Sequence, residues 1–133
     1  MVLVKQCKVR NSLQNGSMST VCMMQPEILA RDPILAEIVR RLVSAYQPER
    51  IYLFGSKARG EAGPDSDYDL LVVVPDDAPP QRHDPALAYR ALCGTGIGAD
   101  VIVWTRTRFE RRKHVVCSLP ATVLREGVLV HGA

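Results

Sequence analysis

The stretch Leu53-Phe54-Gly55-Ser56-Lys57-Ala58-Arg59-Gly60, with Asp67-Tyr68-Asp69-Leu70-Leu71-Val72-Val73-Val74 following about ten residues after Ser56, sets the architecture. The apolar run predicts a strand over Arg50–Phe54 that Gly55 stops. A helical turn or loop is predicted through Ser56–Gly63. A second strand is predicted over Asp67–Val74 and ends at Pro75, which has no N–H for a sheet ladder.

The second strand opens with two carboxylates. Side chains two apart on a strand point the same way, so Asp67 and Asp69 share a face and Tyr68 points to the other, into packing. Two bare carboxylates that close repel, and one stays protonated unless a cation neutralises the pair. Oxygen donors of this kind suit Mg²⁺, which takes carboxylates, water and phosphate oxygens. Taken alone, the pair reads equally well as turn-forming aspartates at a solvated strand start. Asp65, Asp67 and Asp69 also imitate the start of a calcium loop, but Leu70 stands where that loop needs glycine. Asp100 opens a third predicted strand and joins the pair if that strand lies beside the second. Three carboxylates on adjacent strands can hold two metal ions, which clamp the attacking and leaving oxygens of a phosphoryl displacement.

The Gly-Ser turn supplies the other half. Gly55 lets main chain approach a ligand closely. Ser56 offers a hydroxyl and the free N–H groups of a helix start to a phosphate. Lys57 and Arg59 add positive charge. In isolation this is a capped turn with basic surface residues; beside a carboxylate pair it is equipment for an NTP–metal complex. It is not a Walker loop, since GxxxxGK[ST] is absent. Gly94, Gly96 and Gly98 precede a strand rather than open a helix, so they read as a turn and not a dinucleotide fingerprint.

Working outward, Asp32 and Pro33 predict the cap and first position of a helix. Its apolar face is Ile34, Leu35, Ile38, Leu42 and Val43, with Glu37, Arg40 and Arg41 largely off it, and it ends before Pro48. Asp76–His83 reads as a loop, Pro85–Cys93 as a helix capped by Asp84, and Ala99–Thr105 as the third strand. Arg106–Lys113 reads as a basic loop with helical turns. Ser118 caps a last helix through Arg125, Gly127 ends it, and Val128–His131 is a short strand. Residues 1–24 are polar and patternless. They read as a mobile tail, or as sequence ahead of a true start near Met24, leaving 25–133 as the domain. Strands alternating with helices give an α/β or α+β class.

With 47% apolar residues the chain can bury a core, and a net charge of +3 permits an anionic ligand without marking a nucleic-acid-coating protein. No run of about 18 apolar residues spans a membrane. Cys7, Cys22, Cys93 and Cys117 form no CxxC pair and read as reduced thiols in a cytoplasm. His114 and Cys117 lack a second ligand pair and read as packing. Trp104 reads as core or interface. The cluster Arg106, Arg108, Arg111, Arg112 and Lys113 reads as solvated surface.

Gly55-Ser56 followed by Asp67-Tyr68-Asp69 resembles the signature of the polymerase-β-like nucleotidyltransferase superfamily. Phe54–Gly60 with Asp65–Leu70 is most similar to its minimal nucleotidyltransferase (MNT) branch, antitoxins often encoded beside HEPN toxins. Leu124–Val130 resembles that family's ending. The resemblance implies the nucleotidyltransferase fold, a small mixed β-sheet with helices packed on one side. It implies Gly55 and Ser56 on the NTP phosphates, weaker phosphate roles for Lys57 and Arg59, and Asp67, Asp69 and Asp100 as catalytic ligands of two Mg²⁺ ions. It also implies transfer of NMP, with ATP as donor, to a hydroxyl acceptor, a tyrosine of a HEPN-type toxin. The larger relatives' acceptor domain is absent, which suggests a partner chain or a homodimer. The alternatives are a non-catalytic antitoxin that neutralises its partner by contact, and a small-molecule nucleotidyltransferase.

Overall fold

The structure is a computed structural model that describes residues 27–59 and 67–132. The expected N-terminal tail lies outside the described residues, as does the end of the loop after the Gly-Ser turn.

In chain order the elements are α1 (Pro33–Tyr46), β1 (Arg50–Phe54), α2 (Gly55–Arg59), β2 (Tyr68–Val74), a 3₁₀ turn (Pro80–His83), α3 (Ala86–Ala91), β3 (Ala99–Thr105), α4 (Arg106–Arg112), α5 (Leu119–Glu126) and β4 (Val128–His131). The strands form one mixed sheet in the order β3-β2-β1-β4. β1 runs antiparallel to β2 and β4, while β2 and β3 are parallel.

Helix α1 forms as its sequence dictates. Asp32 accepts a hydrogen bond from the Leu35 N–H at 3.0 Å, and Pro33 occupies the first turn. Gln47 leaves the helix in the left-handed region, φ 48°, its N–H still bonded to the Val43 carbonyl. Leu35, Ile38, Val39, Leu42 and Tyr46 are buried. Ile34 was expected on that face but is half exposed, because the buried stripe starts one residue later.

The period-2 rule then divides the sheet. Ile51, Leu53, Tyr68, Leu70, Val72 and Val74 pack with α1 and with Ala88 of α3. The Tyr46 hydroxyl fastens these two helices, donating to the Asp84 carbonyl at 2.7 Å and accepting from the Ala88 N–H at 2.9 Å. The mixed sheet is as expected, but helices cover both of its faces and not one side alone, because the alternating strands are apolar on both. On the second face Tyr52, Leu71 and Val73 pack against Phe109 of α4 and Val123 of α5. The Tyr52 and Phe109 rings stack, centroids 5.5 Å apart. The basic segment forms a full helix: the Thr105 side chain caps it, and Asp76 accepts from the Thr107 N–H at 2.9 Å and hydroxyl at 2.7 Å.

Tyr68 ties the start of β2 to α1. Its hydroxyl donates to Asp32 at 2.8 Å, the residue that caps α1. Burial, then the Asp32 carboxylate, pushes the Tyr68 phenol well above the ordinary tyrosine range. Tyr68→Phe is therefore expected to cost about 1–2 kcal/mol, the usual worth of such a hydrogen bond, read as a lower urea midpoint at unchanged m-value. The raised phenol also fixes the sign of a pH effect. The unfolded chain gives up this proton first, so the contribution is complete below about pH 10 and is lost as pH climbs beyond it. Tyr68→Phe should show a smaller alkaline loss of stability than the parent.

Candidate active site

β2 pairs with both neighbours so that Asp69 stands opposite Phe54 of β1 and opposite Asp100 of β3. Paired residues share a face, so Asp69 and Asp100 are cross-strand neighbours on the second face. Asp67, one residue ahead of β2, has the same parity as Asp69. Next along that face come Tyr52, Leu71 and Ile102, then Arg50, Val73 and Trp104. These apolar rows are the ones that Phe109 and Val123 cover. The carboxylates occupy the end of the face beyond them; Asp67 and Asp100 are exposed and Asp69 is half-buried.

Two glycines shape the space around the carboxylates. Gly55 ends β1 with φ +76°, a left-handed conformation that a side chain resists. A Cβ placed there would lie 2.3 Å from Asp69 Oδ2. The bare Cα thus lets the Gly-Ser turn sit directly against the Asp69 carboxylate. Gly98, just before β3, does the same for Asp67: a Cβ there would lie 2.3 Å from Asp67 Oδ1. The Gly98 carbonyl also accepts from the Tyr68 N–H at 3.1 Å, which extends the β2–β3 ladder to this point. Asp69 therefore leans toward β1 and Asp67 toward β3.

The sequence-derived residues divide accordingly. The fold brings Asp69 and Asp100 into one row opposite Phe54, with Gly55 close against Asp69, Ser56 following Gly55 at the start of α2 and Asp67 two residues before Asp69. It does not bring Lys57 to them. The Lys57 Nζ stands 4.4 Å from the centre of the Tyr68 ring, on the opposite side of the strand. Arg59 is the last residue of α2. Among the described residues, no three His, Cys, Asp or Glu side chains converge closely enough to hold an ion between them. The donor set still fits magnesium delivered on a nucleotide, because Mg²⁺ takes one or two carboxylates and completes its shell with phosphate oxygens and water.

Gly98 was readable in the sequence only as a turn glycine, and nothing local marks it as Asp67's neighbour. A cleft of about 540 Å³ beyond β3 was not foreseen either; Asp67 and Asp100 line it together with Tyr89, Leu92 and Ile97. Trp104 is packed against the second-face core, with the Arg108 guanidinium 4.1 Å from its ring centre. Much of the basic cluster is engaged: Arg106 pairs with Glu49 at 2.9 Å and Lys113 with Glu110 at 2.5 Å.

Comparison with known proteins bears on this arrangement. A family described as "nucleotidyltransferase domain" matches residues 34–130. No curated protein matches the sequence. Among solved structures, the chain is similar to a candidate nucleotidyltransferase from Sulfolobus solfataricus, with 27% identity over 79% of this chain and 84% of that one and a TM-score of 0.49. It is similar to a toxin–antitoxin structure with AMP-PNP at 22% identity over 72% of each chain, TM-score 0.49. It is also similar to a mutant of the toxin–antitoxin MntA–HpeT at 19% identity over 71% of each chain, TM-score 0.46.

The two glycines give separable expectations. Gly55→Ala forces a side chain into the left-handed region, at about 1–2 kcal/mol, and displaces the Asp69 carboxylate. Gly98→Ala meets only the tip of an exposed Asp67, so its stability should change by less than about 0.5 kcal/mol. Urea denaturation checks both values.

Proposed function

The chain belongs to the nucleotidyltransferase domain family, and from that premise we propose that it transfers a nucleoside monophosphate from ATP to a hydroxyl of a protein partner. The observation that carries this reading is the close approach of the Gly-Ser turn to Asp69, whose cross-strand neighbour on β3 is Asp100.

In this reading Gly55 and Ser56 hold the β- and γ-phosphates through main-chain N–H groups and the serine hydroxyl. Asp67, Asp69 and Asp100 hold two Mg²⁺ ions, which when bound neutralise charge at the attacking and leaving oxygens. The acceptor oxygen bonds to the α-phosphorus as the bond from that phosphorus to the α,β-bridging oxygen breaks. Pyrophosphate leaves with the electron pair, and the acceptor's proton is drawn off at the Asp100 carboxylate. No covalent enzyme intermediate is needed, so the protein's contribution is position and charge. Arg59 remains assigned to the phosphates. Lys57 reaches them only by leaving the Tyr68 ring, and its role here is to steady that ring and hence the start of β2.

The acceptor we assign is a tyrosine of a HEPN-type toxin, whose modification silences it, and the compartment is the cytoplasm. The likeness of Phe54–Gly60 and Asp65–Leu70 to MNT antitoxins supports this choice of partner. Among the described residues no helix is long and apolar enough to cross a membrane. A contact-only antitoxin is the second reading. It is favoured by the exposed apolar side chains Val115, Val116 and Leu124, which could meet a partner without chemistry.

Incubation with α-³²P-labelled ATP, Mg²⁺ and the product of the neighbouring gene separates the two. Label should pass to the partner, stop with EDTA, and fall by about 10²–10³-fold in Asp67→Asn, Asp69→Asn or Asp100→Asn, the scale for one lost stabilising group. A tight, inactive complex with no label in the parent protein would establish the contact reading instead.

A further inference from the structure

The two flanks of the carboxylate row differ. Toward β1 lies the Gly55–Ser56 turn, with Asp69 against Gly55. Toward β3 lies the cleft, whose walls include Asp67 and Asp100 but neither Gly55, Ser56 nor Asp69. β1 and β3 are the two neighbours of β2, so the flanks are about 10 Å apart at two strand spacings. In an in-line displacement the attacking oxygen enters opposite the leaving group. If the pyrophosphate departs at the Gly-Ser turn, the acceptor enters from the β3 flank, where the cleft is. The geometry points to this cleft, between α3 and β3, the edge strand among the described residues, as the seat of the acceptor, and to an extended apolar polypeptide segment carrying a hydroxyl as the acceptor's class. This rests on the phosphate reading of Gly55 and Ser56 given above.

The lining supports that class. Tyr89, Leu92, Ile97 and Val101 give it apolar walls, and the Tyr89 ring is 82% exposed, available to stack on an incoming side chain. Among the described residues its carboxylates are Asp67 and Asp100, and the rest of that lining is uncharged. Among the described residues no Asn, Gln, Ser, Thr, Lys or Arg side chain lines it, and these are the amide, hydroxyl and basic groups that read the polar edge of a nucleobase. Ala99, Asp100 and Val101 are consecutive lining residues on a strand that ends the sheet. A strand edge of this kind binds extended peptides by main-chain pairing. At about 540 Å³ the cleft holds a side chain with part of its flanking chain, rather than a hydroxyl alone.

The test uses the ¹⁵N-labelled full chain and two probes, Mg²⁺ with α,β-methylene-ATP and the peptide acetyl-Val-Tyr-Val-amide. The nucleotide should shift the amides of Gly55, Ser56 and Asp69. The peptide, added to that complex, should shift Ile97 and Val101. Tyr89→Ala and Cys93→Trp, both at exposed positions lining the cleft, should weaken the peptide at least tenfold while nucleotide affinity changes less than twofold. The amide spectrum of each variant reports that it is folded. A peptide that leaves Ile97 and Val101 unmoved overturns the proposal. So does a nucleotide that itself occupies the cleft and is weakened equally by Cys93→Trp. A peptide that seats in the cleft of a protein that binds no nucleotide would instead uphold the cleft and contradict the phosphate reading.

Discussion

The alternation of side chains at the start of β2 is the constraint on which the rest of the molecule depends. Tyr68 turns one way, its hydroxyl on the cap of α1 and its ring beneath Lys57. Asp67 and Asp69 must then turn the other way. A slip of one residue in this register would bury two carboxylates under α1 and expose the tyrosine. Tyr68 therefore holds the carboxylates out of the core, although it touches neither of them through its ring or hydroxyl. A helix cap, a strand register and a candidate catalytic row are one connected structure.

The second face shows how a small sheet serves both stability and chemistry. Its lower rows are apolar and covered by Phe109 and Val123. Its upper row sets Asp69 and Asp100 beside Phe54, with Asp100 exposed to solvent. Arginines at the end of the face away from the carboxylates are spent on packing: Arg50 lies over the Phe109 ring and bonds to Glu110, and Arg108 lies over Trp104. The basic α4 is thereby fixed to the sheet, which explains why so polar a segment is helical.

Much of this was legible in the sequence because the signals are local. The Asp32–Pro33 cap, the Ser118 cap, the Gly55 stop and the limits of β1 and β3 follow from residues within a turn of the feature they set. The carboxylate row needed one further fact, that β3 lies parallel beside β2, and the alternation of strand and helix made that arrangement a natural one. What was not legible depends on distant partners. The helix at Arg106–Arg112 is anchored by Asp76, far upstream. Lys57 looked like a phosphate ligand until Tyr68 offered its ring. The cleft beside Gly98 is formed only when α3 and β3 come to face each other.

We propose that Asp67, Asp69 and Asp100 receive one cation-bearing nucleotide next to the Gly-Ser turn. Paramagnetic broadening by Mn²⁺ bound to α,β-methylene-ATP tests it most directly. The amides at 55–56, 67–69 and 99–101 should broaden together at substoichiometric Mn²⁺, while those of α4 stay sharp. Broadening centred on α4, or confined to one carboxylate strand with the Gly-Ser turn untouched, would contradict it.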